Sequence, residues 1–132
     1  MVKKISDIFS PKYDLDNVFA KILSGQLSCE KIYEDQHALA FRDINPQSKV
    51  HALVVPKGKY VNMIDFHLHA NEAEVVSVFR AVGIVASKLG LDADGYRFLS
   101  NCGKNAHQEV SHFHIHIFGG QNLGRMIKPS IE

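Results

Sequence analysis

Between Val110 and Phe118 the chain reads Val-Ser-His-Phe-His-Ile-His-Ile-Phe, and this run constrains the fold more tightly than any other segment. Side chains two apart on an extended chain share a face, so His112, His114 and His116 fall on one side and Phe113, Ile115 and Ile117 on the other. The apolar side has to rest on a core, which predicts a strand over 110–118. Packing does not explain three imidazoles on the opposite side. A rigid element therefore presents a histidine row to whatever occupies that face.

The rest of the chain supplies partners for such a strand. Lys31–Glu34 and Ala38–Arg42 read as two strands around the turn-forming Asp35-Gln36, and Asp43-Ile44-Asn45-Pro46 breaks the run. Val50–Val55, closed by Pro56, and Tyr96–Asn101 are two more strand candidates. A short helix is predicted from the capping residue Asn17 to the stop at Gly25. One long helix is predicted over Asn71–Leu89, with Val75, Phe79, Val82, Ala86 and Leu89 as its buried stripe and Gly90 as its stop. The pattern predicts an α+β domain with a mainly antiparallel sheet, one long helix and one short helix.

A length of 132 residues, 45% hydrophobic, suits one core, so residues 17–132 are expected to form one domain behind an extension over 1–16. A formal net charge of +1 points to neither nucleic acid nor an acidic membrane as partner. No apolar run reaches the roughly 18 residues of a membrane span. Cys29 and Cys102 lie far apart in no metal-binding or redox spacing, which suits free thiols in a reduced, cytoplasmic protein.

Two chemistries fit the histidine row. His-x-His on a strand can supply zinc ligands, but alternate residues stand roughly 6.6 Å apart, so the row yields two ligands and His51 would be the third. A phosphate ester fits as well, because one imidazole can attack phosphorus while its neighbours donate to phosphate oxygens. Residue types alone leave both open.

Taken with His51-Ala-Leu-Val-Val-Pro-Lys57, Phe41-Arg-Asp-Ile-Asn-Pro-Gln47, Gly95-Tyr-Arg97, Asn101 and Gln108–Gly120, the row resembles the histidine-triad (HIT) family, whose signature is His-φ-His-φ-His-φ-φ. The resemblance covers roughly residues 17–128. Gly119-Gly120 resembles the Hint branch, the nucleoside phosphoramidases, where the Fhit-like dinucleoside polyphosphate hydrolases more usually have Pro. Gln108-Glu109-Val110 and Leu123-Gly124 resemble the bacterial Hint form.

That resemblance implies hydrolysis of a purine nucleoside phosphoramidate, with AMP or GMP as product, through a covalent nucleotidyl-histidine. His114 is then the nucleophile and His116 bonds phosphate oxygens. The backbone at His112, together with His51, fixes the tautomer of His114. Phe19, Ile22, Phe41, Ile44 and Leu53 wall the base, and Asp43 accepts from ribose hydroxyls. Asn101 and Gln108 stand on the phosphate side, and Glu109 and Val110 also count among the nucleotide-binding residues. Glu109 replaces a serine of the animal enzymes, which leaves the acid for the departing amine open. His107 replaces the family's usual Gly.

The resemblance also implies a homodimer that pairs through the long helix and the strand at Tyr96–Asn101, and no cofactor. The structural zinc of some bacterial members is not expected: Asn17 and Ala20 stand at its cysteine positions and Lys59 at its histidine. A dinucleoside polyphosphate hydrolase, or a non-catalytic nucleotide-binding module, would use the same residues. His37, His67 and His69 are expected at the surface without a role.

Overall fold

In the computed structural model, which describes Lys4, Phe9 and residues 11–127, five strands form one antiparallel sheet. They are β1 (Lys31–Glu34), β2 (Ala38–Arg42), β3 (Val50–Pro56), β4 (Arg97–Leu99) and β5 (Ile115–Gly119), in the order β1-β2-β3-β5-β4. The helices are α1 (Val18–Leu23), α2 (Met63–His69) and α3 (Glu72–Lys88). None of the described helices is long and apolar enough to cross a membrane. Most of the expected extension over 1–10, and the end of the expected domain over 128–132, lie outside the described residues.

Each start and stop has a local cause. The Asp35 carboxylate accepts from the backbone N–H groups of His37 and Ala38 at 2.8 and 2.9 Å and so closes the β1–β2 hairpin. Asn71 caps α3 through a reciprocal capping box with Glu74, and Gly90, at φ +74°, ends it. Asn17 caps α1 by accepting from the Ala20 N–H at 2.8 Å. The two positions that would carry zinc-binding cysteines are here a capping pair.

The sheet separates two apolar layers. Ala38 and Ala40 of β2, Ala52 and Val54 of β3, and Ile115 and Ile117 of β5 face α3, which buries Val78, Ala81, Val82, Val85 and Ala86 against them. On the other face, Leu39, Phe41, Leu53 and Val55 pack with Phe19 of α1. The histidine row lies on this second face.

Four expectations need correction. The strand predicted over 110–118 is paired only over Ile115–Gly119, so His112 and His114 precede the ladder. Their alternation survives because Phe113 is buried in the same core as Ile115 and Ile117. The strand predicted over 96–101 is likewise paired only over Arg97–Leu99.

The buried stripe of the long helix is also set differently. Val82 and Ala86 are buried as expected, but Val75 and Phe79 are 42% and 63% exposed. The helix is apolar around much of its girth, and its small residues let it approach the alanine-lined sheet, so they face inward.

Finally, α2 was not expected. It buries only Asp65 and Phe66, too few positions to show a helical period, and Phe66 stacks on Phe113 with centroids 4.6 Å apart. Its last turn is tied down by His69, whose Nδ1 lies 2.7 Å from the Asp65 carboxylate. His67 and His69 are exposed, and His37 is half-buried.

Candidate active site

The site is assembled where β3, β5 and the segment before β5 meet α1. A cavity of about 560 Å³ opens there. Its apolar wall is formed by Phe19 and Ile22 of α1, Phe41 of β2, Leu53 of β3, and Val110. Ile44, 86% exposed, stands on the rim. Asp43, Asn101, His107 and Glu109 form a polar side, with His114 and His116 on the floor.

Hydrogen bonds assign the protons. His114 Nδ1 lies 2.6 Å from the carbonyl oxygen of His112. A carbonyl can only accept, so Nδ1 carries the hydrogen and Nε2 keeps its lone pair. Burial holds the His114 pKa below its ordinary value, against the opposing pull of the His112 carbonyl and of the Asp43 and Glu109 charges, which keeps the ring neutral. The Phe19 ring meets it edge-on at 4.9 Å.

His116 is set by a relay that begins in the backbone. The Gln47 N–H donates to His51 Nδ1 at 3.1 Å, so neutral His51 carries its proton on Nε2. That Nε2–H donates to His116 Nδ1 at 2.9 Å, which places the hydrogen of His116 on Nε2. Burial, reinforced by His114 and His51 nearby, pushes the His116 pKa down to about 4. Near neutrality the site thus holds an unprotonated nitrogen on His114 and a neutral N–H donor on His116, with ring centroids 5.0 Å apart.

This arrangement differs from the expectation for His51, which addresses His116 and not His114. The register explains it. His51 pairs with Phe118 and Leu53 with His116, so on the shared face the His51 ring reaches along β5 to its nearest imidazole, 5.2 Å between centroids. The backbone of His112 bonds His114 as expected. The His112 ring is fully buried behind Phe19 and does not line the cavity.

Gln108 was expected beside the phosphate, but its side chain is committed to the backbone. Its Nε2 donates to the carbonyls of Val61 and Val110 at 2.7 and 2.9 Å, and its Oε1 accepts from Gly103 N–H at 2.9 Å. It shapes the loop and does not line the cavity.

Asp43 has two duties. One oxygen accepts from the Asn45 N–H at 2.8 Å, and the other faces the cavity 3.4 Å from His51 Nε2. His107 sits at φ +56°, ψ +48°, the left-handed region that favours Gly, and its side chain lines the cavity.

Donor chemistry bears on the metal reading. Asp43, His51 and His116 offer ligand atoms within 4.8 Å of one another. With Gln47 N–H bound at His51 Nδ1, however, the proton sits on the nitrogen a metal would need. Only two ligand atoms then remain, fewer than the three protein ligands of a catalytic zinc site.

Sequence reasoning did not single out Leu27, Ser28 and Cys29, which line the mouth after α1, nor the Gln47 N–H. A backbone donor leaves no side-chain signal. Gly119 and Gly120 also have structural causes: a Cβ on Gly119 would stand 2.7 Å from Leu91, and Gly120 has φ +79°.

A family model for the HIT domain matches residues 24–123. An uncharacterized 13.2 kDa HIT-like protein of Azospirillum brasilense is 58% identical over 115 residues, 87% of this chain and 94% of the relative. An uncharacterized HIT-like protein of Rickettsia prowazekii is 43% identical, covering 84% and 92%. Among solved structures, a histidine triad protein from Clostridium difficile superposes with TM-score 0.77 at 38% identity, covering 88% of this chain and all of that one. A HIT family hydrolase from Clostridium thermocellum gives 0.76 at 36% identity, covering 86% and 97%. With His114 and His116 of its histidine row on the cavity floor and the family model matched across most of its length, the chain belongs to the HIT family.

Proposed function

We propose that this protein hydrolyses purine nucleoside phosphoramidates through a nucleotidyl group held on His114. The observation that carries the reading is the bond from His114 Nδ1–H to the His112 carbonyl, which leaves an unprotonated Nε2 in a cavity walled by Phe19, Phe41 and Leu53. A cavity of about 560 Å³ suits a nucleotide, and its wall suits a flat base.

In the first displacement the Nε2 lone pair forms a bond to phosphorus. The phosphorus–nitrogen bond breaks, and the amine leaves with that electron pair and a proton from the rim, where Glu109 and His107 stand. His116 Nε2–H donates to a phosphate oxygen as charge builds there. In the second displacement a water oxygen bonds to phosphorus, the water's proton returns to the rim group that protonated the amine, the electron pair returns to His114, and the nucleoside monophosphate departs. The backbone carbonyl of His112 holds the ring in one tautomer through both steps.

Gly119-Gly120 supports the phosphoramidase branch over the dinucleoside polyphosphate hydrolases. The same reading includes a cytoplasmic setting and a homodimer. Support for pairing comes from Val75 and Phe79 of α3 and Phe98 of β4, which are exposed on one apolar face, with Phe79 and Phe98 in edge contact at 6.1 Å.

The test is turnover of an adenosine phosphoramidate in the presence of a chelator, with a dinucleoside polyphosphate assayed in parallel. Release of AMP from the phosphoramidate at undiminished rate is expected. Preference for the polyphosphate would reassign the substrate. Intact substrates after long incubation would make the chain a binding module, and loss of activity on chelation would restore the metal reading.

A further inference from the structure

Behind the triad, the phenol of Tyr13 reaches into the core and meets Nδ1 of His112, a residue 99 positions away in the chain. The local fold aims it there. Asp14 and Asn17 form the turn that starts α1, with Asn17 N and Nδ2 both donating to the Asp14 carbonyl, at 3.2 and 2.7 Å. The Tyr13 ring packs edge-on against the His112 imidazole, centroids 5.6 Å apart.

The direction of this bond follows from the other side of the ring. His112 Nε2 lies 2.9 Å from the carbonyl of Pro56, which can only accept, so Nε2 carries a hydrogen. In the neutral ring Nδ1 is then an acceptor, and the Tyr13 hydroxyl donates to it. Burial raises the Tyr13 pKa, so the phenol stays protonated as a donor.

We infer that Tyr13 is a positioning residue: its hydroxyl keeps the buried His112 ring neutral and in one tautomer, so that no positive charge develops behind the nucleophile His114. The inference rests on the nucleophile assigned above. It takes the segment before α1, expected to be a plain extension, as part of the catalytic apparatus.

The physical argument concerns a buried lone pair. With the Tyr13 hydroxyl removed, Nδ1 has no donor, and protonation is the route by which the ring regains a bond to water or a neighbour. Burial pushes the His112 pKa down to about 4, with the Pro56 carbonyl opposing and His114 adding to the depression. The groups facing the ring are Tyr13, the Pro56 carbonyl, Phe19 and His114. Asp43 and Glu109 act one ring further out, on His114. An imidazolium at His112 would withdraw basicity from His114 by charge repulsion.

The experiment compares the full chain with Tyr13→Phe, which removes one oxygen and keeps the ring contact. Long-range proton–nitrogen NMR reads the tautomer and titration of His112 in the free protein, and a pH profile reads turnover. The His112 titration should move up by one unit or more in the variant. Its turnover should fall by about half at pH 5 and by less than about a tenth at pH 7, with AMP binding within about twofold, because a rise of one unit moves half-protonation of His112 from about pH 4 to about pH 5.

An unchanged His112 titration overturns the inference whatever turnover does. So does a shifted titration with an unmoved acid limb, since the coupling to His114 is then missing. If neither protein turns over any phosphoramidate, the proposed function fails, while the NMR titration still decides whether Tyr13 controls His112.

Discussion

At the scale of single residues, the role of each catalytic histidine is set by the partner on its far nitrogen. His114 is free at Nε2 because the His112 carbonyl takes Nδ1–H, and His116 donates at Nε2 because His51 occupies Nδ1. The two should fail differently. His116→Ala removes one hydrogen bond to a phosphate that gains charge, about 3 kcal/mol, so turnover should drop roughly a hundredfold and remain measurable. Loss comparable to His114→Ala would argue that both rings do the same job. Asp43 bears on binding. Asp43→Asn keeps an acceptor for the Asn45 N–H but removes the charge offered to ribose hydroxyls, worth about 1.5 kcal/mol. The Michaelis constant should rise about tenfold with kcat nearly unchanged; a fall in kcat alone would move Asp43 to the reacting centre.

At the scale of elements, the segment leading into β5 places neutral imidazoles in the interior, and this makes stability depend on pH. His112 and His116 are held down to about 4, and His114 and His51 are lowered as well, all chiefly by burial. A histidine with a folded pKa below its unfolded value binds fewer protons when folded. Stability is therefore full above about pH 6.5 and is lost as pH falls toward 4. For His112 alone the loss is about 2 kcal/mol by pH 5. Urea midpoints at pH 7 and pH 5 should differ by less in His112→Asn than in the wild type, and an equal difference in both would contradict the assignment. The element also shows what can be read from sequence. Alternation in 110–118 identified the triad face because Phe113, Ile115 and Ile117 need a core, yet it could not show that pairing begins only at Ile115. Strands β1 and β2 were legible because an Asp-Gln turn separates two apolar runs. The helix α2 was not, because Asp65 and Phe66 are its only buried residues. His51 was expected beside His114 but bonds His116, since the β3–β5 register is a long-range property. Tyr13 and the Gln47 N–H act across distance or through backbone, where no local pattern exists.

At the scale of the whole molecule, the sheet has one face given to chemistry and the other to α3, and the helix in turn leaves an apolar surface uncovered. Val75, Phe79 and Phe98 are exposed at 42%, 63% and 46%, more apolar area than a lone chain needs to show. Light scattering at micromolar concentration should give a dimer mass, and Phe79→Asp should give a monomer. A monomer mass for the wild type would remove the pairing. The central claim concerns the covalent step at His114, which a direct measurement can reach: intact mass of the protein acid-quenched during turnover of an adenosine phosphoramidate. The wild type should carry an adduct of nucleotidyl mass. His114→Ala should carry none and show no turnover, while binding AMP within about tenfold, because the bond to phosphorus exists only along the reaction path. An adduct that persists on the His114→Ala variant, or full activity in it, would contradict the account.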